Sequence, residues 1–140
     1  MPPADHAAYA AHFILYVSNQ ADSAAFYTAA LAPQPRLDVP GMTEYELTGG
    51  AVLGLMPEAG IKRLLGDALK HPATAGGAPR AELYLLMDNA DAHHQRAVQA
   101  GAKELSPVTP RDWGHSVGYL LDPDGHVLAI AQSNPAVYAQ

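Results

Sequence analysis

The 140-residue chain contains no cysteine, which removes disulfides, thiolate metal ligands and a cysteine nucleophile at once. Any metal would have to be held by His, Asp or Glu. Basic residues are also scarce. Eight Lys and Arg against fourteen Asp and Glu give a net charge of -6 without any basic run, so the electrostatic footprint of a nucleic-acid-binding protein is missing. No Walker-type or dinucleotide glycine fingerprint occurs, since Gly49-Gly50 and Gly76-Gly77 lack a strand-turn-helix setting. The start, MPPADHAAYA, has neither the basic segment nor the apolar core of an export signal, and no apolar run is long enough for a spanning helix. These absences lead us to expect a cytoplasmic protein with neither nucleic acid nor membrane as a partner.

What is present is a chain 49% apolar and 16% charged, enough to bury a core and of a size for one domain over residues 1–140. Within it a pattern repeats. HFILYVSNQADSAAFYTAALA from His12 lies without gaps over ELYLLMDNADAHHQRAVQAGA from Glu82. Each copy is an apolar run, then Ser18-Asn19 or Asp88-Asn89, then an alanine-rich stretch closed by Pro33 or Gly101. That order reads as strand, cap, helix and stop. Short extended runs follow each helix: 35–39, 43–48 and 51–56 in the first copy, 103–106, 116–121 and 126–131 in the second. AVLGLM at 51–56 lies over HVLAIA at 126–131, which sets Gly54 opposite Ala129. The pattern is βαβββ twice, with module one over about 11–57, a connector over about 58–79 and module two over about 80–132. The connector carries a predicted short helix over 61–69 and is read either as a plain linker or as a lid.

The run HFILYV from His12, the Ala25-Phe26-Tyr27 of the first helix, and Trp113-Gly114 followed by Asp122-Pro123-Asp124-Gly125-His126 together resemble the vicinal oxygen chelate superfamily. That superfamily includes glyoxalase I, extradiol dioxygenases, and fosfomycin- and bleomycin-resistance proteins. The resemblance runs from about residue 11 to about residue 132. It implies an α+β fold of two βαβββ modules whose curled mixed sheets surround a cleft, and a homodimer with the cleft formed partly across the interface. It also implies metal-ligand positions on the first and last strand of each module, here His12, Gly54, Glu82 and Ala129. Only His12 and Glu82 carry ligand chemistry. A catalytic divalent ion usually takes at least three protein ligands, so the expectation is no cofactor, with His12 and Glu82 as the ligands of any metal that did bind.

Strand alternation then selects the cleft face, because residues two apart point the same way. His12, Ile14 and Tyr16 share one face, Glu82, Tyr84 and Leu86 another, and Val127, Ala129 and Ala131 a third, with the apolar reverse faces packed on helices. Likeness to fosfomycin-resistance members adds Tyr119 to the cleft. The expected ligand-binding set is His12, Tyr16, Glu82, Tyr84, Trp113, His115 and Tyr119. Each has a plainer reading. His12 is otherwise a half-buried histidine bonded to Glu82 or Tyr119, Glu82 a solvated partner of Arg80, Trp113 a packing anchor, and His115 an exposed loop residue. Tyr45 is a weaker cleft candidate, the register of its strand being open. His93 and His94, about 100° apart on a helix, read as a solvated surface, and His6 and His71 carry no argument.

Two functions compete. One is metal-free binding of a small organic molecule in an aromatic-lined cleft, as in bleomycin-type resistance proteins. The other is an enzyme of lyase or dioxygenase type, using His12, Glu82 and a further ligand, or His12 and Glu82 as acid and base. A purely structural protein would instead have a filled cleft.

Overall fold

The computed structural model describes residues 8–31 and 34–134; His6 and Pro33 lie outside them. The element order is β1 (Ala11–Val17), α1 (Gln20–Leu31), β2 (Leu37–Val39), β3 (Met42–Glu46), β4 (Ala51–Pro57), α2 (Glu58–Leu65), β5 (Glu82–Leu86), α3 (Ala90–Gln99), β6 (Lys103–Pro110), β7 (His115–Leu121) and β8 (Val127–Ser133). The strands form two four-stranded mixed sheets, ordered β1-β4-β3-β2 and β5-β8-β7-β6. In each, the first strand runs parallel to the last and the other pairs are antiparallel. This is the α+β, twice-βαβββ architecture expected from the repeat.

Contacts divide the described chain into two compact units, residues 8–24 with 34–74, and 25–31 with 75–134. In the first unit, Asn19 caps α1 by accepting a bond from the amide of Asp22 at 2.9 Å. Gln20 then ties the helix start to the β2–β3 hairpin. Its Nε2 donates to the Val39 carbonyl and to Thr43 Oγ1, and its Oε1 accepts from the Gly41 amide. Thr43 and Tyr45 on β3 and Leu53 and Leu55 on β4 are fully buried on one face, and the Tyr45 hydroxyl donates to the Ala24 carbonyl at 2.8 Å. Tyr45 is therefore a core residue and not a cleft residue. Its neighbours Glu44 and Glu46 take the opposite face, because adjacent strand residues alternate. The apolar reverse face is not covered along all of β1, where Phe13 is 53% exposed.

The second unit is pinned by the DPDG turn. Asp122 is 5% exposed; its Oδ1 accepts from the amides of Asp124 and His126, and its Oδ2 accepts from the Tyr27 hydroxyl at 2.6 Å. Tyr27, on the part of α1 that belongs to this unit, is 1% exposed. Burial first, then the adjoining Asp122 and Asp124, hold its phenol well above the ordinary tyrosine range. The sheet buries side chains on both faces: Leu120, Leu128 and Ile130 on the reverse face, where α3 packs and buries its Ala90, His94 and Ala97, and Val117, Ala129 and Ala131 on the other.

Three local expectations change. Asn89 precedes α3 in a left-handed conformation, φ 57, and makes no side-chain cap; Gln132 Oε1 instead accepts the Ala90 amide at 2.9 Å. The connector helix is α2, over Glu58–Leu65 and not 61–69, followed by short 3-10 turns at Gly66–Ala68 and Pro72–Ala75. His94 is not solvated: it is 1% exposed and its Nε2 lies 2.7 Å from Glu104 Oε2.

Candidate functional site

Register fixes which side chains share the polar face of each sheet. In the first unit Ile14 and Glu44 are the partners of Gly54 on its two sides, and His12 and Glu46 are the partners of Val52. His12, Ile14, Tyr16, Glu44 and Gly54 thus look the same way. Glu44 was missed from sequence, as was Arg36, whose Nε and Nη2 both lie 3.0 Å from Glu44 Oε1. The other carboxylate oxygen stands 3.7 Å from His12 Nδ1. The histidine's partner in this unit is therefore Glu44, with Nε2 on the far side of the ring from it.

The second unit places Tyr84 and Tyr119 as the partners of Ala129 on its two sides. Val117, Ala129 and Ala131 are fully buried, and both tyrosine rings pack against them. Tyr84 is held at its hydroxyl by two neighbours, Trp113 Nε1 at 2.9 Å and His115 Nδ1 at 2.6 Å. The Tyr84 and His115 ring centres are 5.8 Å apart. Trp113 stands in the β6–β7 turn, 51% exposed. Arg111, from the same turn, lies 5.2 Å over the Tyr119 ring and bonds Ser106 Oγ and the Val117 carbonyl through Nη2. The Tyr119 phenol is raised from its ordinary value by partial burial, then by Glu82 and Tyr84, with Arg111 opposing. Of the seven residues expected from sequence, Tyr84, Trp113 and His115 form one bonded cluster. Tyr119 and Glu82 lie on the same face, and His12 and Tyr16 belong to the other unit.

The donor set does not fit the four-ligand pattern. A Cβ at Gly54 would already meet Ile14 Cγ1 and Met42 Sδ at 3.2 Å each, so neighbouring side chains have closed that position. Ala129 is closed in the same way beneath its tyrosines. Glu44 offers a carboxylate one strand away, but Arg36 already bonds it. Among the described residues no three His, Asp or Glu side chains stand together as a metal-binding group.

Paired βαβββ modules with one polar face on each sheet define the vicinal-oxygen-chelate class of fold. The chain belongs to the Glyoxalase/Bleomycin resistance protein/Dioxygenase superfamily, whose family model matches residues 9–130. Among solved structures it is similar to a glyoxalase-related enzyme from Fulvimarina pelagi, with 25% identity, TM-score 0.74, and 88% of this chain and 86% of that one covered. It is also similar to a glyoxalase/bleomycin resistance protein/dioxygenase from Nocardioides, with 17% identity, TM-score 0.72, and coverage of 94% and 86%. An uncharacterized protein of Mycobacterium bovis is 31% identical over 72 residues, 51% of this chain and 47% of that protein. The chain thus matches about half the length of this curated relative. No described helix is long and apolar enough to cross a membrane.

Proposed function

We propose that the protein binds a small, mostly apolar organic molecule without a resident metal, on the face of the second sheet that carries Glu82, Tyr84, Trp113, His115 and Tyr119. His12 and Tyr16 lie on the first sheet, in the other unit, and are not part of that face. The observation that supports it is the closing of both vacated ligand positions, Gly54 by Ile14 and Met42 and Ala129 by Tyr84 and Tyr119. Burial of flat aromatic surface supplies affinity, and the few polar groups supply orientation. The test is elemental analysis of protein purified without chelator, with a thermal-shift screen of planar organic compounds. Substoichiometric metal and at least one stabilising compound are expected; one transition metal per chain would refute the reading.

A second reading is favoured by the Arg36, Glu44 and His12 contacts. A carboxylate anchored by Arg36 stands 3.7 Å from His12 Nδ1, an electrostatic partner beyond hydrogen-bond distance, and Nε2 would take a proton from a substrate as a general base. Turnover abolished by both His12→Ala and Glu44→Gln would support a lyase-type enzyme, while turnover untouched by either would remove this site from the chemistry. We also propose a cytoplasmic homodimer, which light scattering after size exclusion would refute by finding a monomer at micromolar concentration.

A further inference from the structure

The bonds around Tyr84 restrict what the second sheet can offer a ligand. An indole N–H only donates, so the 2.9 Å contact from Trp113 Nε1 takes a lone pair of the Tyr84 oxygen. The phenol keeps its own proton to donate, and His115 Nδ1 lies within its reach at 2.6 Å, although either group can be the donor in that contact. A ring nitrogen that accepts carries no proton, so the neutral imidazole holds its proton on Nε2; the tautomer follows from the network of bonds. His115 shares its face with Val117 and Tyr119 by strand alternation. Among the described residues Nε2 has no hydrogen-bond partner.

We propose that His115 is a fixed Nε2–H donor and that the ligand is a planar molecule bearing a carbonyl-type oxygen to accept from it. This rests on the small-molecule reading above and narrows the class of ligand. Planarity follows from the half-exposed Trp113 and from the tyrosine rings on the same face. Tyr84 cannot substitute for His115 as the donor, because its proton is engaged. A ligand that donates only would leave the imidazole N–H unpaired when it binds, which costs more than the bond itself contributes.

Two measurements test this. The first is nitrogen-15 NMR of the histidine rings in ligand-free protein, at a pH where His115 is neutral. A protonated Nε2 and bare Nδ1 are expected, with the preference relaxing toward a mixture in Tyr84→Phe; a protonated Nδ1 in the unmodified protein overturns the proposal. The second follows the single indole N–H signal, unique because the chain has one tryptophan, during titration with coumarin, naphthalene or indole. Coumarin, with its carbonyl, is expected to bind about tenfold more tightly than naphthalene, roughly one hydrogen bond's worth, and indole no more tightly than naphthalene. In His115→Phe the coumarin advantage is expected to vanish. Equal binding of coumarin and naphthalene to the unmodified protein overturns the acceptor requirement while leaving metal-free apolar binding intact, whereas binding of none of the three overturns both.

Discussion

Gly118 sits directly behind Tyr119, and replacing it with alanine tests whether His94 braces the aromatic face of the second sheet from the reverse side. A Cβ there would overlap His94 Nδ1 and would lie 2.6 Å from His94 Cε1 and 2.9 Å from Val108 Cγ2. Non-bonded carbon contacts settle at about 3.5–4.0 Å, so the imidazole must retreat by on the order of 1 Å. It has little room, being 1% exposed and bonded at 2.7 Å to Glu104. Overpacking of this kind costs about 1–3 kcal/mol. Loss of the Glu104 bond adds about 1 kcal/mol, held low because that carboxylate is 43% exposed. Removing a strand glycine returns about 0.5 kcal/mol. The net expectation is a loss of about 1.5–3.5 kcal/mol, or about 5–14 °C in Tm for a chain of this size. Thermal melts followed by circular dichroism read it directly. In the double variant Gly118→Ala with His94→Ala the overlap with the imidazole is gone and only the Val108 contact remains, so the combined loss should be at least about 1 kcal/mol smaller than the sum of the two single losses. A Gly118→Ala protein melting within about 2 °C of the unmodified one would refute the bracing argument.

Tyr27→Phe removes one of the three donors to Asp122 and is expected to lose about 1.5–3 kcal/mol in urea denaturation. Because the Tyr27 phenol is raised in the folded state, its contribution is complete below its ordinary value of 10.0 and declines as pH rises above it. The stability gap between the two proteins should therefore narrow above about pH 10, and a gap widening there would contradict the assignment. Gly54→His restores the missing ligand side chain but drives it into Ile14 and Met42, so a loss of about 1–3 kcal/mol without gain of metal is expected; stoichiometric zinc with an unchanged Tm would refute the closure. Dialysis against a chelator should leave Tm and coumarin binding unchanged, whereas a drop restored by a divalent ion would reveal a structural or functional metal.

The repeated βαβββ order was legible because each strand's apolar run abuts a cap residue and an alanine-rich helix. The parity of β1 and β5 was legible because their two faces differ in chemistry, and that of β8 only through its alignment with 51–56. β3 was not: Thr43, Glu44, Tyr45 and Glu46 put polar atoms on both faces, so only pairing with β4 shows that Tyr45 is buried and Glu44 faces His12. The burial of His94 was equally hidden, since it depends on Gly118 lacking a side chain twenty-four residues away. Helix α2 begins before its expected start because Glu58 follows β4 directly and its first turn is set by Pro57, not by an apolar period. The cluster at Tyr84 joins residues from β5, from the β6–β7 turn and from the start of β7, and no local pattern announces such a meeting.

Both carboxyl oxygens of Asp122 are committed to the backbone of its own turn and to Tyr27. The motif that most visibly marks the lineage is thus masonry, remote in role from whatever happens on the aromatic face. Side chains at Ala129, Tyr84 or His115 can change without disturbing that keystone, and one scaffold can drift between catalyst and receptor by changing a few side chains that the turn never touches.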